Sequence, residues 1–269
     1  MKKILGKIYI ALVLMFLYIP IFVMIVFSFN TTKSRTVMSG FTFDWYIKLF
    51  NNELIMSSLR NTIIIAVIAS VLATVLGTFA AVGISRMKKI PRMIITNITT
   101  IPMINPDIIT GVSLMLLFVF FAARMNFEFG FVTLVIAHIT FDVPYVIMNV
   151  LPKLNQMDPN LHEAALDLGC SPMMAFRKVV LPEIMPGVLS GFLMSVTFSL
   201  DDFVVSYFTS GATSQTLPIT IYSMTRRKVS PEINALSTII FIVVVIVLVV
   251  KNIITTRNLK LTSEGERND

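Results

Sequence analysis

Four aspartates interrupt otherwise apolar stretches of this chain: Asp107, Asp142, Asp201 and Asp202. A charged group in hydrocarbon costs about 2.5–3.5 kcal/mol on insertion scales, so one that persists has a partner or a task. The only base at helical spacing is His138, four residues before Asp142, and no Lys or Arg lies in the middle of an apolar stretch. Acid without base favours a cation, either a positively charged solute or a group from a partner subunit. Ser195, Ser199, Asp202 and Ser206 recur at spacings of 4, 3 and 4, which predicts a polar stripe along one helix face and a path for that cation. Asp201 is turned about 100° from Asp202 on a helix, so it shares a face with Thr197 and points toward a partner chain. Blander roles stand beside these. Asp142 could bond His138 or backbone freed by Pro144, Asp107 could face the start of a helix renewed after Asn105-Pro106, and the serines could join helix to helix.

A second constellation is polar and compact. Glu163-Ala164-Ala165 is followed after three residues by Gly169, and nine residues later by Val179, then Leu181-Pro182. Asp158 suits an N-cap and Pro159 the first helical position, where its missing N–H would be unsatisfied anyway. Leu161, Ala164, Ala165 and Leu168 fall at i, i+3, i+4 and i+7 and make one apolar face. Glu163 sits in the first turns, where the helix dipole favours a carboxylate. Gly169 is expected to end this helix in the left-handed conformation. Ser171-Pro172 starts a second helix, which Pro182 is expected to stop. A helix sided by alanines can sink into a groove on another protein and pass on a push.

These elements need a membrane around them. The chain is 55% hydrophobic and 14% charged, whereas soluble domains carry about 25% charged residues. Six segments are long and apolar enough to span: Ile8–Phe29, Asn61–Ile84, Ile94–Phe121, Phe131–Leu151, Ile184–Phe203 and Ile233–Val250. The first has Lys2, Lys3 and Lys7 ahead of it, but it is too long for a signal core and lacks a small-x-small cleavage site, so it reads as a retained anchor. Most of the 22 Lys and Arg residues fall on one side if both termini are cytoplasmic. That orientation also makes the Glu163 segment cytoplasmic, and only Arg226-Arg227-Lys228 argues against it. The net charge of +7 is then topological rather than a sign of nucleic acid. Residues 31–60 mix Phe41, Phe43, Trp45, Tyr46 and Phe50 with charges and suit an outer membrane surface. The single Cys170 and two distant histidines make no metal site, and no Gly-rich phosphate loop is present.

The Glu163–Pro182 loop, together with Leu17-Tyr18-Ile19-Pro20-Ile21, Ser28-Phe29-Asn30, Asn105-Pro106-Asp107-Ile108, Phe198-Ser199-Leu200-Asp201-Asp202-Phe203-Val204 and Ser230-Pro231-Glu232-Ile233-Asn234-Ala235-Leu236, resembles the permeases of bacterial spermidine/putrescine ABC importers. The match runs over nearly the whole chain and is closest to the second permease of such a system. Glu-Ala-Ala alone marks only the ABC-importer permease class, and the later segments narrow it to the polyamine branch. Val179 stands where the family commonly has isoleucine, a conservative change.

The resemblance implies an all-α integral membrane protein of the MetI-like permease fold. Residues 1–30 would form an amino-terminal helix, 31–60 an extracytoplasmic interfacial loop, 61–255 a five-helix core with a coupling loop at 152–183, and 256–269 a cytoplasmic tail. It implies a second permease, an ATPase dimer and an extracytoplasmic polyamine-binding protein as partners in the bilayer. ATP would be bound by the ATPase and no cofactor by this chain, which would be a channel subunit and not an enzyme. Glu163, Ala164, Ala165, Gly169, Leu181 and Pro182 would couple to the ATPase, and Asp202, Asp201, Asp107, Asp142 and Ser199 would line the substrate pathway. A permease for another cationic solute shares most of these features. A cation-coupled secondary transporter predicts an internal repeat of spans, and none is visible.

Overall fold

The computed structural model describes residues 2–34, 37–125, 127–158, 160–212, 214–227, 231–246 and 249. Among them the chain is helical, with one isolated antiparallel bridge between Asn30 and Phe41. Five helices are long and apolar enough to cross a membrane, and Pro231–Ile246 is a shorter apolar helix. The chain divides into one unit of residues 1–56 with 223–269 and another of residues 57–222.

In the first unit, α1 (Lys2–Phe27) runs into a folded loop and α2 (Asp44–Phe50). Asn30 is fully buried and organises that loop. Its amide donates to Val37 O at 2.9 Å and its Oδ1 accepts from Ser39 N at 2.9 Å. Its carbonyl accepts from the Trp45 indole at 2.6 Å. Phe29, Phe41, Phe43 and Tyr46 stack over this core with ring centroids 5.1–6.1 Å apart. Phe41, Phe43 and Phe50 remain exposed. Asn52 accepts from Ile55 N at 3.3 Å and so caps α3 (Glu53–Ser85), with Glu53 in its first turn. The second span therefore begins at Glu53 rather than Asn61. The Asn52-Glu53 pair is a legible start signal that hydropathy alone passes over. The unit's last helix is α12 (Pro231–Ile246), whose Glu232 accepts from Asn52 Nδ2 at 3.3 Å. Ser230, Lys228 and the carboxy-terminal tail lie outside the described residues.

The second unit holds most of α3, α4 (Lys89–Ile104), α5 (Asp107–Met125), α6 (Phe131–Gln156), α7 (Asn160–Asp167), α8 (Pro172–Ala175), α9 (Leu181–Asp201), α10 (Val204–Thr209) and most of α11 (Leu217–Arg227). The expected span Ile94–Phe121 is two helices. Asn105 is extended at ψ 139, as a residue before proline is driven to be, and α5 restarts with Pro106 O accepting from Ile109 N at 2.9 Å. Between α8 and α9, residues Phe176–Val180 form a π-helical turn, so the backbone stays helical from Pro172 to Asp201. The expectation that Pro182 stops a helix is therefore corrected. A proline lacks a donor and clashes with the carbonyl four residues back. The widened turn, with Leu181 N bonding Phe176 O, absorbs that defect just upstream.

Small residues let these helices touch. Ala66, Ala69, Ser70, Ala73 and Ala81 on α3 are fully buried. A side chain at Gly77 would stand 2.7 Å from Val146 Cβ, and one at Gly191 3.1 Å from Val146 Cα. Val146, itself fully buried, thus fills the contact of α6 with both α3 and α9, where close approach replaces the hydrophobic effect as the source of attraction. Gly77→Val is expected to cost about 1–3 kcal/mol through overpacking. It should lower the thermal midpoint of the detergent-purified protein, while Gly83→Ala, which meets nothing within 4 Å, should not.

Candidate functional site

Two helix interruptions meet at one place. The first is Asn105-Pro106, which leaves Asp107 at the head of α5. The second separates α9 from α10: Asp202 is extended at φ −61, ψ 121, and α10 begins at Val204. A cavity of about 330 Å³ opens beside both breaks, and Asp107, Asp201, Asp202, Tyr145, Phe198 and Phe203 are among its lining residues. Among the described residues lining it none is Lys, Arg or His. Tyr145 and Phe198 pack with ring centroids 4.4 Å apart. Gly111, one turn into α5, lets that helix approach α10 closely, since a Cβ there would lie 2.9 Å from the Phe208 ring.

The expected polar stripe through Ser206 is not one helix face, because α9 ends at Asp201. Asp202 leaves the helix and caps the next one: Val205 N donates to its Oδ1 at 3.2 Å and Ser206 N to its Oδ2 at 2.7 Å. For the same reason Asp201 and Asp202, which a continuous helix would turn apart, line the same cavity. A carboxylate at the start of α10 answers backbone donors that hydrocarbon cannot satisfy.

His138 spans the break from α6. Its Nδ1 lies 3.0 Å from Ser199 Oγ on α9, and its Nε2 3.0 Å from Ser206 Oγ on α10. Ser199 Oγ donates to Asp142 Oδ2 at 2.8 Å. Ser199 thus links Asp142 to one ring nitrogen, and Ser206 meets the other. Asp202 Oδ2 stands 3.7 Å from Nε2. His138, Asp142, Ser199 and Ser206 are all buried. The structure thus brings Asp107, Asp201 and Asp202 to the cavity and holds Asp142 and Ser199 in a sealed network behind it. Ser195, also fully buried, faces Asp142 from α9. Tyr145, Phe198 and Ser206's link to His138 are the functional features that spacing does not reveal, because they join separate helices.

The Glu163 segment forms a knuckle as its capping residues dictate. Asn160 N donates to Asp158 Oδ1 at 2.9 Å; Pro159 lies outside the described residues. Gly169 has φ +84. Cys170 N bonds Ala165 O at 3.1 Å and Gly169 N bonds Leu166 O at 2.9 Å, the Schellman pair. Ser171 Oγ accepts from Met174 N at 3.3 Å and starts α8. Ala165 is buried, while Glu163 and Ala164 are exposed and Leu168 is 86% exposed. The apolar face expected of Leu161, Ala164, Ala165 and Leu168 is therefore shared: Ala165 anchors the knuckle to its own chain, and the others face outward. Glu163 also edges a hollow of about 410 Å³ that includes Arg86, Arg92 and Val180. Leu181 and Pro182 open α9 behind it.

A family model described as "Binding-protein-dependent transport system inner membrane component" matches residues 73–260. The chain belongs to this family. Among its relatives, the "Spermidine/putrescine transport system permease protein PotC" of Haemophilus influenzae is 38% identical over 243 residues, 90% of this chain and 93% of the relative. The "Putrescine transport system permease protein PotI" of Escherichia coli K12 is 40% identical over 228 residues, 84% of this chain and 81% of the relative. Among solved structures, a bacterial ABC transporter involved in the import of the acidic polysaccharide alginate has a chain that superposes with a TM-score of 0.69 at 14% identity. That likeness covers 94% of this chain and 95% of that one, and it fixes the fold. The protein is a multi-pass inner-membrane transport permease.

His138→Ala should leave Ser199 and Ser206 without a shared buried partner, at about 1–3 kcal/mol per stranded group. Thermal unfolding in detergent should show a larger drop than for Ser206→Ala, which removes only one end of the staple. Equal drops would mean that His138 does not bridge the break.

Proposed function

We propose that this chain is a permease subunit of an ABC importer that carries polyamines such as spermidine and putrescine into the cell. The reading rests first on the cavity: three carboxylates, aromatic rings and no basic lining residue. Primary ammonium groups on a flexible apolar chain suit that surface, through charge-assisted hydrogen bonds to carboxylates and cation–π contact with the rings. The shared fold does not choose the cargo, since the structural neighbour belongs to a transporter for an acidic polysaccharide. The lining does, and it agrees with the names of the relatives.

In this reading both termini and the Glu163 knuckle face the cytoplasm. A second permease closes the exposed sides of the cavity, and a binding protein delivers polyamine from outside. One subunit of an ATPase dimer holds the knuckle. Glu163 is the polar contact to the ATPase, Ala164 and Leu168 fill its groove, and Gly169 keeps the knuckle short. Asp201 and Asp202 receive ammonium groups, Asp107 faces them from the other break, and Asp142 with Ser199 holds the wall behind. ATP binding and hydrolysis in the partner push the knuckle, and the helix from Pro172 to Asp201 carries the displacement to the cavity.

Labelled spermidine and putrescine uptake by the assembled transporter in proteoliposomes tests this. Asp201→Asn and Asp202→Asn should each cut uptake about ten- to a hundredfold, the range for losing a charged hydrogen bond, with subunit assembly intact. Uptake of neither polyamine by the wild-type complex would reject the cargo. Glu163→Ala should leave insertion unchanged and weaken the link between ATP hydrolysis and uptake. Retention of wild-type transport per ATP would remove Glu163 from the docking surface.

A further inference from the structure

A second groove lies far along the fold from the acidic cavity, between the start of α4 and the end of α6. It encloses about 540 Å³, and Lys89, Arg92, Thr96, Asn97, Met93 and Leu151 are among its lining residues. Its two charges are both positive, and no carboxylate lines it. Arg92 is held at this site by a hydrogen bond to Asn155 on α6, which uses only part of its guanidinium donor set. The groove lies where apolar spans end: α3 finishes at Ser85 and α6 at Gln156. In a bilayer that is the headgroup level.

Its remaining chemistry is ordered along α4. Lys89, Arg92, Thr96 and Asn97 fall close to one face at helical spacing, charge first and then hydroxyl and amide. Ile90, Ile94, Ile98 and Ile101 lie on the adjoining face and are 49–68% exposed. No residue of α4 is buried, so the helix offers a cationic end, a polar step and an apolar strip in sequence. A free inorganic anion would use only the first of these. A glycerophospholipid uses all three, with its phosphate on Lys89 and Arg92, its ester and glycerol oxygens on Thr96 and Asn97, and an acyl chain along the isoleucines.

We infer that the groove formed by Lys89, Arg92, Thr96 and Asn97 beside α6 binds an anionic glycerophospholipid. The site is independent of the cargo, and its occupancy does not require the polyamine reading. It adjoins the Glu163 hollow, because Arg92 lines both, so a bound headgroup sits beside the knuckle's own support. Basic pockets between membrane helices are suited to such headgroups.

The test uses the complete transporter purified in detergent and exchanged into nanodiscs of phosphatidylethanolamine with or without phosphatidylglycerol. Native mass spectrometry counts the phosphatidylglycerol retained on this subunit. Wild type should retain phosphatidylglycerol in preference to phosphatidylethanolamine. Each basic residue near a membrane surface contributes a factor of about five in affinity, so Lys89→Gln with Arg92→Gln should weaken retention about 25-fold. Lys89→Arg with Arg92→Lys should restore it, which separates lost charge from lost fold. Equal retention of both lipids by wild type would overturn the inference. So would displacement of the lipid by inorganic phosphate, which would make the groove a free-anion site. Loss of the ATPase subunit from the glutamine variant with lipid retention unchanged would overturn it too, assigning the groove to an acidic protein surface.

Discussion

Backbone that leaves a helix inside a bilayer has to find its hydrogen-bond partners within the protein. This chain meets that constraint at Asp202, and the rest of the cavity depends on it. The carboxylate accepts two amide protons from the first turn of α10, and His138 ties the serines on either side of the break. Because the helix stops there, Asp201 and Asp202 can share a cavity that continuous helical geometry would deny them. The opposing break at Asn105-Pro106 supplies the third acid by the same logic, with proline setting the extended residue before it.

The acids divide by environment. Asp107, Asp201 and Asp202 reach the cavity, where aromatic rings and an absence of basic lining residues leave their charge for something else to balance. Asp142 is sealed behind them and takes a proton donor from Ser199. The same residue type thus serves as surface in one place and as part of a buried scaffold in the other, and the difference is whether a serine–histidine chain closes over it.

Between the knuckle and the cavity runs a single helical path from Pro172 to Asp201, about 45 Å long at 1.5 Å per residue. Its one irregular turn, Phe176–Val180, sits just ahead of Pro182. That turn absorbs the defect of Pro182, and the helix also runs on through Pro186. Widening the helix at that turn keeps the backbone helical from the knuckle to the residues that line the cavity. Buried Ala165 and Val180 attach the knuckle and the rod to the bundle, while Leu168 is exposed.

The sequence by itself determined the elements whose signals are local. Apolar length placed the spans, Asp158, Gly169, Ser171 and Pro172 set the ends of the knuckle, and Asn105-Pro106 marked a break. Each is decided within a few residues by capping, backbone sterics or the thickness of a bilayer. Tertiary structure alone decided what needs two helices at once. The stretch after Asp201 looks helical in sequence, yet the helix stops there, and the break is bridged by His138 on another helix, which meets serines on both sides. The continuity through Pro182 likewise reverses a strong local signal, since the π turn upstream absorbs the missing hydrogen bond. The pairing of Lys89 with Arg92 over Leu151 and Asn155 depends on how α4 lies against α6. Distances between helices are set by which small residues let them approach, and no spacing along one chain segment records that.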